Sequence, residues 1–115
     1  MATCLVTGGA GFIGSHLVDA LVRAGHVVRV MDDLSSGNLA DLASAGGRVE
    51  FVEADVCDLD AVRRATRGAD LVFHLAALTS IPRSVVDPLA AHQVCATGTL
   101  HVLTAALEAD VRRVV

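Results

Sequence analysis

Thr7-Gly8-Gly9-Ala10-Gly11-Phe12-Ile13-Gly14 is the stretch that decides how this chain folds. It follows an apolar, strand-like run, Cys4-Leu5-Val6, and opens a run with helical periodicity. In that run Ile13, Leu17, Ala20, Leu21 and Ala24 fall on one face, and Gly25 supplies the stop. A glycine-rich turn between strand and helix is the setting of a dinucleotide pyrophosphate socket. The glycines satisfy both Gly9-x-Gly11-x-x-Gly14 and Gly8-x-x-Gly11-x-x-Gly14. Gly8 permits the tight turn, Gly11 lets a pyrophosphate approach bare main chain, and Gly14 lets the helix lie close to the sheet. The helix N-terminus then offers free N–H groups and the positive end of its dipole to an anion. Taken alone, the motif also fits a glycine turn that binds nothing.

Outward from this turn, apolar runs alternate with helical periodicity. Leu5–Val6, Val27–Val30, Val49–Val52, Leu71–Leu75 and Val111–Val115 read as strands. Asp58 is an N-cap for a helix through Thr66, and Asp87-Pro88 is an N-cap with proline at the first helical position. From there one long helix is expected to about Ala109, with Leu100, Leu103 and Leu107 on its buried stripe. In the Ser35–Gly47 loop, Leu39 and Leu42 could carry a short helix. Such alternation, with right-handed crossovers, predicts an α/β fold: a Rossmann-type doubly wound parallel sheet of five strands in the order 3-2-1-4-5.

The composition narrows the function. A chain of 115 residues fits one domain, and 53% hydrophobic content suits a parallel sheet covered on both faces. Net charge is −4, all nine cationic residues are Arg, and no basic run exceeds a pair, which argues against nucleic acid. No apolar stretch spans a bilayer and no signal peptide is seen, so a cytoplasmic location without membrane partners is expected. Cys4, Cys57 and Cys95 lack metal-ligand spacing and read as reduced, mostly buried thiols; no metal site is predicted. His16, His74, His92 and His101 share no ligand spacing either and read as structural or exposed.

Asp32 closes the second strand, 18 residues beyond Gly14, near the ~20 expected of a ribose-binding carboxylate. A carboxylate there accepts the adenosine ribose hydroxyls and repels a 2′-phosphate, which favours NAD over NADP. The plainer alternative is that Asp32 or Asp33 merely starts a turn.

TGGAGFIGSHLVDAL, DDLSSGN, EADVCD, DLVFHLAALTSIPRS, DP…GTLHVLTAA and VRRVV together resemble the extended short-chain dehydrogenase/reductase family. The resemblance runs through the whole chain and is closest to that family's NAD-dependent sugar-nucleotide epimerases and dehydratases, the UDP-glucose and UDP-N-acetylglucosamine 4-epimerases among them. It implies that Phe12 and Ile13 sit at the pyrophosphate with Gly8, Gly11 and Gly14. It further implies that Asp32, Asp33, Leu34, Ser35, Ser36 and Gly37 wrap the adenosine ribose, and that Asp55 and Val56 flank adenine. Leu75, Ala76, Ala77, Leu78 and Thr79 would pass under the cofactor toward the nicotinamide ribose. Without the resemblance, Asp55 is an ordinary loop carboxylate and Ala76-Ala77 is strand-end packing. Arg83, in a stretch resembling the loop after strand four, lies near a diphosphate or is a solvated cation. Where the family often has Asn, three residues before Gly98-Thr99, this chain has Cys95.

The resemblance also implies a mechanism: hydride passes from C4 of a hexose to NAD while a tyrosinate of a Tyr-x-x-x-Lys pair takes the hydroxyl proton. This chain contains no Tyr and no Lys, so no catalytic residue is assigned within it. It stops in Arg112-Arg113-Val114-Val115, inside the fifth strand, and is read as the front of a longer protein: residues 1–115 form an incomplete dinucleotide-binding domain without the substrate domain. In that longer protein a UDP-sugar substrate and a homodimer are expected. The rivals are a 4,6-dehydratase or NAD(P)-dependent reductase of the same family, and a catalytically silent NAD-binding module.

Overall fold

The computed structural model describes residues 1–40, Leu42 and residues 48–115. Their order is β1 (Thr3–Thr7), α1 (Phe12–Arg23), β2 (Val27–Asp32), β3 (Val49–Glu53), α2 (Leu59–Thr66), β4 (Leu71–His74), α3 (Ile81–Val86), α4 (Pro88–His92), a π-helical turn (Gln93–Thr97), α5 (Gly98–Glu108) and β5 (Arg113–Val114). The five strands form one parallel sheet in the order β3-β2-β1-β4-β5, as the alternation predicted. Both carboxyl-end neighbours of β1 end level with it: Thr7 lies opposite Met31 of β2 and His74 of β4.

Period-two alternation along the strands divides the core into two layers. Leu5, Met31 and Val72 point to one face, where Val62 and Ala65 of α2 and Val102 and Ala105 of α5 cover them. Val6, Val28 and Val30 point to the other, under Val18 of α1 and Leu42. β1 is central, and Cys4, Leu5, Val6 and Thr7 are fully buried.

Local signals set the helix ends. Asp58 accepts from the Ala61 N–H (3.2 Å) and Asp87 from the Ala90 N–H (3.1 Å), so both expected N-caps are made. Gly25, with φ 91°, follows α1 in the left-handed conformation that suits glycine.

Several expectations need correction. On α1 the buried face holds Gly14 and Val18, while Ile13, Ala20 and Ala24 are exposed; Leu17 and Leu21 pack only partly. On α5 the buried stripe is Gly98, Val102, Ala105 and Ala106, and Leu100, Leu103 and Leu107 face outward. Both sets have helical spacing. The small residues face inward because α5 shares its sheet face with α2, which presents Ala61 and Ala65 to the same layer. The stretch after β4 is a helix: Ser80 caps α3 by accepting from the Arg83 N–H (3.3 Å), with Pro82 in the first turn. The long helix expected from Pro88 is continuous to Glu108 and carries one wider π turn at Gln93–Thr97. Of the thiols only Cys4 is buried; Cys57 is half-buried and Cys95 exposed. Leu39, Ala40 and Leu42 have helical-turn geometry, and the rest of the expected helix there lies outside the described residues.

Candidate functional site

A cleft of about 550 Å³ opens at the carboxyl ends of the strands. In a doubly wound sheet this is where ligands bind, because the strand order reverses there and the adjoining loops part. Of the expected residues, Gly8, Gly11, Phe12, Ile13, Gly14, Asp32, Asp33, Ser35, Ser36, Asp55, Val56, Leu75, Ala76, Ala77, Leu78 and Thr79 all line it. Leu34 and Gly37 do not. Leu34 has φ 62° and turns its side chain into the core layer under α1. A Cβ on Gly37 would stand 2.6 Å from the Ala10 carbonyl oxygen, so this glycine serves close packing of the loop on the turn.

The floor of the cleft is the β1–α1 turn. Gly8 has φ 69°, and its N–H donates to the Met31 carbonyl (2.8 Å). A side chain at Gly8 would strike the main chain of Leu75 and Ala76, with Ala76 N only 2.7 Å from its Cβ. Gly14 clears the turn's own backbone, Gly8 and Gly9, and the glycine that meets the sheet is Gly9, against Val30 of β2. Gly11 differs from these. Its Cβ would meet a single protein atom, the Gly8 oxygen at 3.3 Å, and otherwise project into open space. Packing therefore explains Gly8, Gly9 and Gly14, whereas at Gly11 the protein opposes a side chain only through the Gly8 oxygen and the N-cap position, and the rest of the space opens into the cleft.

Gly11 is the N-cap of α1 and provides no side-chain cap, and the first turn holds no acidic residue. Among the described residues, the main-chain N–H groups of Phe12, Ile13 and Gly14 have no hydrogen-bond partner; the first paired one is Ser15, to the Gly11 carbonyl (2.9 Å). Unpaired donors at the positive end of a helix form an anion site.

Asp32 stands beside them, 9% exposed. Its Oδ2 accepts from the Ala10 N–H (3.0 Å) and its Oδ1 from the Leu34 N–H (2.8 Å). It thus starts a turn, as the plainer reading had it, and also staples that turn to the glycine loop. Each carboxylate oxygen keeps a further lone pair for a hydroxyl in the cleft. Asp33 is exposed and accepts from the Ser35 N–H (3.0 Å).

On the far side, Asp55 accepts from the Cys57 N–H (2.9 Å). Val56 is buried, held by a hydrogen bond between its carbonyl and His101 Nδ1 (2.8 Å) and packed where a Cβ on Gly98 would collide with it. Cys57 also lines the cleft; burial, a hydrogen bond to Asp55 and the charges of Asp55 and Asp33 push its thiol up to about 11. A thiol held protonated is not a nucleophile.

Sequence reasoning missed Met31, Ala54, Cys57, Ala90, Gln93 and Val94 on the cleft wall, and placed Arg83 there only as one of two options; Arg83 lines it. Ala54 and Cys57 flank Asp55 and Val56 in the loop after β3, the register of β2 brings in Met31, and the packing of α4 and the π turn brings in Ala90, Gln93 and Val94. Cys95, in the π turn, lies 3.9 Å from the Leu78 carbonyl through its sulfur.

Fully buried Thr7 was also unremarked. Its Oγ1 accepts from the N–H of Leu75 (3.1 Å) and Ala76 (3.2 Å), and it meets His74 Nδ1 at 2.6 Å. The other ring nitrogen of His74 meets Thr99 Oγ1 at 3.0 Å. Burial lowers the pKa of His74 from its ordinary 6.5, which favours the neutral ring.

Among the described residues no group of His, Cys, Asp or Glu could hold a metal ion, and no helix is long and apolar enough to cross a membrane.

Known proteins share this arrangement. The chain is 48% identical over 114 residues to a UDP-glucose 4-epimerase of Mycolicibacterium smegmatis, an alignment covering 96% of this chain and 36% of the relative. The structure of a Thermus thermophilus UDP-glucose 4-epimerase in complex with NAD matches with TM-score 0.89 at 38% identity, over 97% of this chain and 36% of that one. A dTDP-glucose 4,6-dehydratase from Streptomyces venezuelae, with NAD bound, matches with TM-score 0.90 at 38% identity, over 97% of this chain and 38% of that one. The chain thus spans little more than a third of the length of such relatives. The model of the NAD dependent epimerase/dehydratase family matches residues 4–115, nearly the whole sequence. With a glycine-cleared turn, an uncapped helix start and a carboxylate at the end of β2 around one cleft, the chain belongs to the NAD dependent epimerase/dehydratase family.

Proposed function

We propose that this chain is the NAD-binding part of a sugar-nucleotide 4-epimerase that acts by transient oxidation at C4 of a UDP-hexose or its N-acetyl analogue. The observation that carries the reading is Gly11: it is bare although the protein leaves room for a side chain, and it lies beside unpaired N–H groups of α1. A pyrophosphate is the group that needs both. The cleft residues fit NAD, and the relatives that bind it support the choice.

When bound, NAD would supply a reversible hydride acceptor for the sugar carbon. The chain's own residues bind and orient. The Phe12 and Ile13 N–H groups donate to the pyrophosphate. Asp32, helped by Asp33, Ser35 and Ser36, accepts the adenosine ribose hydroxyls and repels a 2′-phosphate. Asp55 accepts from the exocyclic amine of adenine with Val56 against the ring. Leu75, Ala76, Ala77, Leu78 and Thr79 line the path toward the nicotinamide ribose, and the small Ala76 and Ala77 let the main chain approach.

The chain has no Tyr and no Lys, so removing the sugar's hydroxyl proton by a Tyr-x-x-x-Lys pair falls to residues this sequence does not contain. On this reading residues 1–115 are one dinucleotide-binding domain, the chain by itself binds NAD without turnover, and the substrate domain belongs to the longer protein. Ile81, Val85, Val86, Leu89, Leu100, Leu103 and Leu107 leave a large apolar surface over α3, α4 and α5. Such a surface suits burial against further protein and supports a homodimer of the full-length enzyme. The dehydratase relative keeps a second reading in play, a 4,6-dehydratase with the same cofactor site.

Calorimetric titration of the chain with NAD and NADP tests the cofactor. NAD binding, with NADP weaker, is expected, and an absence of NAD binding refutes the reading. Incubation of the chain with UDP-glucose and NAD is expected to give no UDP-galactose.

A further inference from the structure

The hydrogen bonds around His74 leave one arrangement of protons. Thr99 Oγ1 gives its hydrogen to the Cys95 carbonyl and so can only accept from His74 Nε2, while Thr7 Oγ1 accepts from the Ala76 N–H and shares the Leu75 N–H with the Thr7 carbonyl (3.0 Å). A neutral ring therefore carries its proton on Nε2 and leaves Nδ1 bare to accept the hydrogen of the Thr7 hydroxyl. That N–H donates to Thr99 Oγ1, and the Thr99 hydroxyl donates to the Cys95 carbonyl (2.6 Å). This last bond is the return of a helical threonine to the carbonyl four residues back, the same bond that Thr66 makes to Val62 (2.7 Å) in α2. One chain of donors thus runs from the cleft wall at Leu75–Ala76 through β1 and β4 into α5.

We propose that His74 is a positioning residue which, in its neutral Nε2–H form, ties the cleft wall at Leu75–Ala77 to Thr99 of α5, and that this tie sets how firmly the nicotinamide half of a dinucleotide is held. The proposal rests on the reading of the cleft as an NAD site. The wall peptides it controls are those that line the cleft beyond Gly8, on the side opposite Asp32 and Asp55. Loss of the tie leaves the adenosine side untouched, since Asp32 is held by Ala10 and Leu34, and Val56 by His101.

The test separates the two halves of the ligand. Thr99→Val removes the hydroxyl at nearly unchanged size, Thr99→Ser restores it, and His74→Phe removes both ring contacts. NAD and ADP are titrated against the chain and each variant, with thermal melting to confirm folding. The expected result is about a tenfold loss of NAD affinity in Thr99→Val and His74→Phe, with ADP affinity unchanged and NAD affinity recovered in Thr99→Ser. Nitrogen NMR of the unliganded chain is expected to show the His74 proton on Nε2. NAD affinity unaltered in Thr99→Val, NAD and ADP weakened alike, or the proton found on Nδ1 each overturns the tie. Failure of the wild-type chain to bind ADP overturns the reading of the cleft itself, and the ring spectrum still decides whether the tie exists.

Discussion

Gly11→Ala and Gly14→Ala should fail in opposite ways, although both glycines belong to one motif. Gly11 has φ −76° and ψ −179°, a conformation open to any residue, and its new methyl meets only the Gly8 oxygen at 3.3 Å. The loss of stability should be modest, about 0.5–1 kcal/mol, mainly because alanine is a poorer N-cap than glycine. In the cleft, the same methyl stands where a pyrophosphate must lie against the N–H groups of Phe12 and Ile13. Displacing the phosphates should weaken NAD by roughly ten- to a hundredfold, equivalent to about 1.4–2.8 kcal/mol. At Gly14 the methyl would lie 2.7 Å from Gly9 Cα and closer still to the Gly8 oxygen. Both are main-chain atoms of a tight turn, with no flexible side chain to yield. Overpacking of about 1–3 kcal/mol outweighs the ~1 kcal/mol that alanine gains over glycine within a helix. Gly14→Ala should therefore melt several degrees lower, at roughly 4–8 °C per kcal/mol. Thermal melting and NAD calorimetry on the two variants decide the matter. Gly11→Ala that binds NAD like the wild type would refute the claim that a ligand, and not packing, requires that glycine.

Further outcomes follow from the same geometry. Asp32→Asn places an amide against the Ala10 N–H or the Leu34 N–H, so it should lower stability by about 1–2 kcal/mol and narrow the preference for NAD over NADP, read by calorimetry with both. His74 has its native pKa lowered by burial, so its contribution is complete above its ordinary 6.5 and declines as pH falls through the native value. Urea unfolding at pH 7.5 and pH 5 (roughly one unit above and 1.5 below the ordinary histidine value) should therefore show a larger loss for the wild type than for His74→Phe; equal losses would contradict it. Leu5→Ala, at a fully buried position under α2 and α5, should remove about 2–5 kcal/mol. Leu107→Ala, 81% exposed, should change the chain's stability by less than about 0.5 kcal/mol; a large loss would mean that α5 turns its leucines inward.

The contrast between Leu5 and Leu107 shows where sequence reasoning holds. Strand runs such as Cys4-Leu5-Val6 are apolar on both faces because a central parallel strand is covered on both sides, so no choice of face is needed. On α5 two sets of residues have helical spacing, and periodicity alone favours the leucines over Gly98, Val102, Ala105 and Ala106. The nearness of α2 reverses that order, since two helices sharing one sheet face need small residues between them. The candidate site divides in the same manner. Gly8, Gly11, Gly14 and Asp32 were legible as neighbours because they lie at or just beyond the carboxyl ends of adjacent strands, where the parallel topology brings them to one cleft. Leu34 packs its side chain on the core layer and not along the cleft, because its left-handed backbone, which the sequence does not announce, turns it that way.

What the sequence by itself determined is the alternation of strands and helices, the strand order, the caps at Asp58 and Asp87, and the glycine turn with its downstream carboxylate. The caps and the glycine turn depend on residues within a turn or two of one another, the carboxylate on its place at the end of the next strand, and the topology on a chirality rule that holds for nearly all parallel crossovers. Only the tertiary structure decided that Thr7 meets His74, 67 residues away, and that His74 meets Thr99 across a π turn. Side chains so distant in the chain become partners through strand register and helix placement. These are set by burial summed over the whole core and carry no local mark.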